Sequence, residues 1–179
     1  MNRLLVVVDY QKDFVDGALG YAGAERLEQP LLEAVQRALA AGWKVLFTRD
    51  THADDYLNTR EGRFLPVPHC IAGSEGWHLY GSLAQFETMD NENVAFVDKP
   101  TFGSMDLPGA VEALCGGEPE EIALCWVVTN ICVVSNAVVL HSAFLSSTIT
   151  VLKDLCGTSD AALGQKTFDL LAGMGYNVI

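Results

Sequence analysis

Short apolar runs that end on charged or polar residues alternate along the chain with longer stretches of helical periodicity. Arg3–Val8 is apolar after its first residue and is followed at once by Asp9, the pattern of a strand buried on both faces. Residues 24–41 place Leu27, Leu31, Leu32, Val35 and Leu39 at helical spacing, with Gly42 as the stop signal. The same reading predicts strands over 43–48, 93–98, 121–128, 148–152 and 176–179. It predicts helices over 107–114, 131–145 and 159–173, the last capped by Ser159. Strands alternating with helices imply an α/β fold: a three-layer α/β/α, Rossmann-like domain with a six-stranded, mostly parallel sheet, spanning residues 1–179. Residues 49–86 break the rhythm. This stretch has little periodicity and holds three of the four histidines, and a long loop in a compact domain is usually functional.

Composition narrows the class. The chain has 179 residues, half of them hydrophobic, which suits a globular domain with a sizeable core. Its net charge of -12 opposes binding to nucleic acid or to an anionic membrane. Thr129, Asn130 and Ser135 interrupt the longest apolar stretches, so no membrane span is expected. Residues 4–8 are too few for a signal peptide, and Asp9 follows directly. The five cysteines are odd in number and form no CxxC pair, which suits reduced thiols and a cytoplasmic location.

Ligands of such sheets bind beyond the carboxyl ends of the strands. Asp9, the Asp50–His52 pair, Lys99 and Cys132 fall at four successive strand ends. Singly, an Asp there is more often a turn residue and a Lys a solvated charge. Together, a carboxylate, an amine and a thiol on one sheet edge suit an activated nucleophile: the thiol attacks a carbonyl, Asp9 moves its proton and Lys99 supports the charge. Thr129 and Asn130 are good N-cap residues, which would put Cys132 in the first turn of a helix, where unpaired N–H groups lower a thiol pKa. His141 is too far along that helix to be its partner and is expected to be structural. In the long loop, Asp50, His52, Glu61 and His69 are a donor set for one divalent metal, zinc foremost, with manganese and iron as alternatives. The same four residues would also suit a merely polar loop. Trp77 and His78 would belong to a lid or to a packing contact.

Four segments resemble the isochorismatase-like cysteine hydrolases and, within them, the nicotinamidases. They are Val7-Val8-Asp9-Tyr10-Gln11-Lys12-Asp13-Phe14, Val97-Asp98-Lys99-Pro100-Thr101-Phe102, Val127-Val128-Thr129-Asn130-Ile131-Cys132-Val133 and Val151-Leu152-Lys153-Asp154. The resemblance implies a catalytic triad of Asp9, Lys99 and Cys132. It also implies a cis peptide between Val127 and Val128, and an oxyanion hole made by the N–H groups of Val128 and Cys132. In the loop, Asp50-Thr51-His52 and His69-Cys70 match the nicotinamidase metal segments, with Glu61 as a fourth, acidic ligand. Phe14 and Phe102 would wall the ring pocket, and the protein would form a homo-oligomer. The implied activity is hydrolysis of nicotinamide, or a close pyridine carboxamide, to the acid and ammonia through a thioester. Hydrolysis of another small amide or carbamoyl compound is the alternative, as is a non-catalytic member of the family. The chain departs from the family pattern at Trp126 (usually Gly), Asn130 (usually Asp), Tyr56 (often a second loop His) and Pro66 (often Trp).

Overall fold

The computed structural model describes residues 2–179. Six strands form one sheet in the order β3-β2-β1-β4-β5-β6, and every neighbouring pair is parallel. The strands are β1 (Arg3–Val8), β2 (Lys44–Asp50), β3 (Val94–Lys99), β4 (Glu121–Val127), β5 (Thr148–Gly157) and β6 (Asn177–Val178). The helices are α1 (Lys12–Val15), α2 (Glu28–Ala40), α3 (Arg60–Phe64), α4 (Leu107–Cys115), α5 (Val134–Ala143) and α6 (Ala161–Gly173). The three-layer α/β/α expectation therefore holds, with a sheet that is parallel throughout.

β1 lies in the middle of the sheet, and this explains its composition. Leu4, Val6 and Val8 face the layer of α4, α5 and α6, where they meet Leu107, Val111, Ala137, Leu140 and Leu171. Leu5 and Val7 face the opposite layer, against Leu31 and Val35 of α2 and the side chains of Phe14 and Leu83. A strand covered on both sides needs apolar residues at successive positions, and each such side chain fully removed from water contributes about 1.5–3 kcal/mol.

The strand order also decides where a ligand can enter. After β3 the chain crosses back to the other side of β1 and adds β4, so the connections from β1 and β4 leave in opposite directions. The crevice between them opens beyond the carboxyl ends of β1 and β4. Asp9 follows β1 and Cys132 lies just past β4.

Several boundaries differ from the sequence-based ones. β5 continues to Gly157, five residues beyond the predicted end at 152: it bulges between Val151 and Cys156, opposite Leu124 and Trp126 of β4, and the pairing resumes at Trp126 with Cys156. The predicted helix over 131–145 is a π-helical turn, Thr129–Val133, leading into α5. α6 is capped by the Asp160 side chain, which accepts from Leu163 N–H at 2.9 Å, rather than by Ser159. Among the described residues, no helix is long and apolar enough to cross a membrane.

Candidate active site and metal centre

Asp9, Lys99 and Cys132 converge, although they come from three separate strand ends. Asp9 leaves β1 with φ of 55°, a left-handed conformation that turns its side chain out of the strand alternation. Its Oδ1 accepts from Thr48 Oγ1 at 2.7 Å. Its Oδ2 forms an ion pair with Lys99 Nζ at 2.7 Å. Lys99 Nζ also donates to Asp50 Oδ1 and to the Thr101 carbonyl, both at 3.2 Å, and lies 3.8 Å from Cys132 Sγ. Asp9 and Lys99 are fully buried, and Cys132 is 3% exposed. An ammonium this deep is tolerable only because two carboxylates face it.

Burial governs the charges of this cluster. It pushes the Asp9 carboxyl above its ordinary 3.8, and the Asp50 charge adds to it, against the pull of Lys99 and Thr48. Burial opposes the Lys99 charge, but Asp9, Cys132 and Asp50 outweigh it and hold the ammonium well above its ordinary 10.5. Burial pushes the Cys132 thiol up, Asp9 and Asp50 push the same way, and Lys99 alone pulls down. The helix N-terminus expected to lower this thiol does not outweigh these effects. Nor do the expected caps form: Val128 occupies the N-cap position with no side-chain bond, Thr129 Oγ1 donates to the Gly157 carbonyl at 2.9 Å and Asn130 Oδ1 accepts from Thr158 Oγ1 at 2.8 Å. Burial beside two carboxylates therefore favours the neutral thiol of Cys132, with the Lys99 ammonium as the opposing influence.

Asp50 joins this cluster to a second one. Burial opposes its ionisation, but Lys99 and the hydrogen bonds of His52 and His69 hold its carboxyl well below the usual range. One oxygen faces Lys99, while Oδ2 lies 3.0 Å from His52 Nε2 and 3.2 Å from His69 Nε2. The donor atoms of Asp50, His52 and His69 all lie within 4.8 Å of one another. His69 Nδ1 is 2.7 Å from the Val67 carbonyl. That bond assigns a proton to Nδ1 and keeps Nε2 directed at Asp50 Oδ2, so that the two atoms would face one ion, the usual arrangement of a metal-binding histidine. One carboxylate oxygen and two imidazole nitrogens, all buried, fit a divalent transition metal.

Glu61 is not gathered into that set of three. Its Oε1 accepts from the Phe102 N–H at 3.1 Å, and its buried Oε2 has no partner. Tyr56, in the place of a second loop histidine, donates to the Leu65 carbonyl at 3.0 Å and lays its ring against His52 and His69, with centroids 4.4 and 5.0 Å apart. Trp77 and His78 are packing contacts rather than a free lid. The Trp77 indole donates to Thr51 Oγ1 at 2.8 Å and stacks on Arg49, and His78 pairs with Glu87. His141 stacks on Tyr176, away from the site, as a structural residue.

A cavity of about 170 Å³ brings the two clusters to one small space. Its lining includes Cys132, Val128, Asp50, His69 and the two expected walls, Phe14 and Phe102. A larger cavity of about 590 Å³ lies between α2 and β5 and contains none of these groups, so size alone would misplace the site.

The isochorismatase domain model matches residues 3–179 of this chain. The chain belongs to the isochorismatase family. Among curated proteins, an isochorismatase family protein of Bacillus subtilis, PncA, is 30% identical over 143 residues, covering 77% of this chain and 78% of the relative. Among solved structures, the nicotinamidase PncA from Bacillus subtilis superposes with a TM-score of 0.86 at 26% identity over 99% of both chains. The pyrazinamidase/nicotinamidase of Streptococcus mutans superposes with a TM-score of 0.87 at 26% identity, over 99% of this chain and all of that one. Those nicotinamidases are hydrolases of amide bonds, and this chain is a hydrolase of the same family.

Two departures from the family pattern acquire a structural account. Trp126 has φ of 89° and the Val127–Val128 peptide is cis. A positive φ suits glycine; for tryptophan it costs on the order of 1–3 kcal/mol. Here the indole is fully buried and packs edge-on against Tyr10 with centroids 4.5 Å apart, an anchor that offsets the strain. Asn130, in place of Asp, lines the cavity with Thr158 as its partner.

Other residues of the site escaped the sequence reading. Asn136, fully buried in α5, donates to the Cys132 carbonyl at 2.9 Å and to the Phe102 carbonyl at 3.1 Å, and accepts from Ser104 N–H at 3.1 Å. It ties the Cys132 turn to the loop that follows Lys99. A lone amide among Val133, Val134, Ala137 and Val138 was the available signal. Leu19, Tyr21 and Leu65 also line the cavity, from loops with no distinguishing pattern.

Proposed function

We propose that this protein is a cysteine amidohydrolase that converts nicotinamide, or a close pyridine carboxamide, to the acid and ammonia. The observation that carries the reading is the buried ammonium of Lys99, 2.7 Å from the Asp9 carboxylate and 3.8 Å from Cys132 Sγ, beside a small cavity that Asp50 and His69 also line. Cys132 attacks the amide carbonyl carbon as Asp9 takes its proton. The N–H groups of Val128 and Cys132, both cavity residues, receive the developing oxyanion. Asp9 returns the proton to the leaving nitrogen, and ammonia departs from a thioester on Cys132. A water, deprotonated by Asp9, then cleaves the thioester and restores the thiol. Lys99 keeps Asp9 in place and balances the charge that passes through the cluster.

Asp50, His52 and His69 would hold one divalent ion, zinc foremost among those the donors suit, and the buried Glu61 Oε2, without a partner, would be a fourth ligand. When bound, the ion supplies Lewis acidity toward a ring nitrogen of the substrate. Phe14 and Phe102 flank the flat ring, and a cavity of about 170 Å³ admits one ring and a carboxamide rather than a long acyl chain.

The test is ammonia release from a panel of nicotinamide, pyrazinamide, benzamide and small aliphatic amides, before and after chelation. Nicotinamide should be the best substrate. Chelation should reduce its turnover at least about tenfold, while Cys132 in the chelated protein still reacts with iodoacetamide. Turnover of an aliphatic amide or a carbamoyl compound, with none of nicotinamide, would replace this reading by the broader amidase one.

The pH dependence follows from Asp9. Its folded pKa lies above 3.8, so the carboxylate needed as base is present above that raised value and is lost as pH falls through it. The acid limb of kcat/KM should therefore sit above the ordinary Asp range. An acid limb at or below pH 4 would show that another group is the base.

A further inference from the structure

Gln11 is fully buried, and its carboxamide makes three hydrogen bonds. Oε1 accepts the Asp50 N–H at 2.7 Å, and Nε2 donates to the Asp50 carbonyl and to the Trp77 carbonyl, each at 2.8 Å. The doublet on Asp50 imitates the pair of bonds that two facing residues of an antiparallel ladder exchange. It takes over beyond Val8, where β1 stops pairing with β2.

Two residues further on, Asp13 Oδ2 accepts the Cys70 N–H at 2.7 Å and Oδ1 accepts the Ala18 N–H at 3.1 Å. The carboxylate is cupped so closely that a Cβ added at Gly76 or Gly17 would lie 2.2 or 2.3 Å from its atoms. Cys70, the neighbour of His69, is held in a left-handed conformation with φ of 46°. The two ligand-bearing stretches are also bonded to each other: the His52 N–H donates to the Cys70 carbonyl at 3.0 Å and the Ala72 N–H to the His52 carbonyl at 2.9 Å.

We propose that Gln11 and Asp13 are positioning residues for the metal centre. Segment 9–13 carries the base at its start, and through these two side chains it sets Asp50 and the His69–Cys70 turn in register with that base. This assignment rests on the reading of Asp50, His52 and His69 as cation ligands. Neither Gln11 nor Asp13 is among the cavity residues, so each acts through the backbone of a ligand or its neighbour. Without the Gln11 amide, a buried N–H and a buried carbonyl of Asp50 lose their partners and recruit others, which rotates the carboxylate. Metal sites tolerate little such rotation.

The experiment uses the full chain and cobalt(II) as the probe. Metal-free wild type, Gln11→Leu, Asp13→Ala and Asp13→Asn are titrated with cobalt in competition with a chromophoric chelator, and their visible spectra are recorded. Iodoacetamide labelling of Cys132 is followed by peptide mass spectrometry in the metal-free proteins. Gln11→Leu and Asp13→Ala should each weaken cobalt binding by about 10–100-fold and alter the ligand-field spectrum, the range found when ligand-supporting partners are removed. In Asp13→Ala, Cys132 labelling should stay within about twofold of wild type, because Asp13 bonds the Cys70 and Ala18 N–H groups and neither Lys99 nor the thiol. Asp13→Asn, which keeps an acceptor for the Cys70 N–H, should recover most of the affinity. Folded variants that bind cobalt as tightly as wild type would overturn the assignment, as would equal losses of metal binding and thiol labelling in Asp13→Ala. If Gln11→Leu does not fold, the Asp13→Ala and Asp13→Asn pair decides by the same criteria. Wild type that takes up no cobalt would remove the cation reading and this assignment with it, whereas wild-type loading with undiminished variants removes only the latter.

Discussion

Cys132→Ala should lower kcat for amide hydrolysis by about 10⁴-fold or more, the scale on which removal of a covalent nucleophile acts. Its sulfur lies 3.8 Å from Lys99 Nζ, and the residue lines the small cavity. The substitution removes a neutral group from a buried position, so the fold should survive. Thermal melting monitored by circular dichroism, run beside the ammonia assay, separates loss of chemistry from loss of structure. Cys125→Ala is the matched control. Cys125 is equally buried, but its thiol contacts the Val6 carbonyl inside the sheet, and it should leave kcat within a few-fold. Residual activity within tenfold of wild type in Cys132→Ala would end the covalent mechanism at this residue and assign the chemistry to other groups.

Lys99→Met should both inactivate and destabilise. In the native protein the ammonium lies 2.7 Å from Asp9 Oδ2 and 3.2 Å from Asp50 Oδ1, and all three groups are buried. Taking away one partner of a buried pair leaves the other charge without compensation, a loss of about 3–5 kcal/mol. For a domain of this size that is a fall in Tm on the order of 10 °C. Turnover should fall below detection, since the carboxylate that must move the thiol proton loses its fixed orientation. The sharper measurement is the double-mutant cycle with Asp9→Asn. If the ion pair carries the effect, the double variant should be more stable than the sum of the single losses predicts, by about 0.5–3 kcal/mol. Strict additivity would mean that Lys99 and Asp9 do not act on each other, and the charge arrangement proposed for the mechanism would fail.

The Asp9 carboxyl shows why the local sequence misled about the nucleophile. A thiol after a strand and before a helix suggested activation by the helix terminus. The folded site buries that thiol next to two carboxylates, which favours the neutral form, and only Lys99 counters them. Proton transfer to Asp9 on substrate binding, not a standing thiolate, is the activation this arrangement supports. The helix-terminus argument used neighbours in the chain, whereas the decisive charges come from other strands.

The alternation of apolar runs and helical periodicity was enough to predict six strands, the layering and an α/β sheet, because burial on both faces of a parallel strand is written directly into consecutive residues such as those of β1. The residue types at the strand ends likewise mark Asp9, Asp50, His52, Lys99 and Cys132 as candidates. Folding decided how these groups face one another. It placed the sheet's reversal between β1 and β4, divided the two oxygens of Asp50 between Lys99 and the imidazoles, and left Glu61 outside the close donor set. It also gave Gln11 the backbone of a residue thirty-nine positions away to hold. Hydrophobic period is a local property and survives in one dimension; distances and charges between residues remote in the chain exist only once loops close and side chains leave water together.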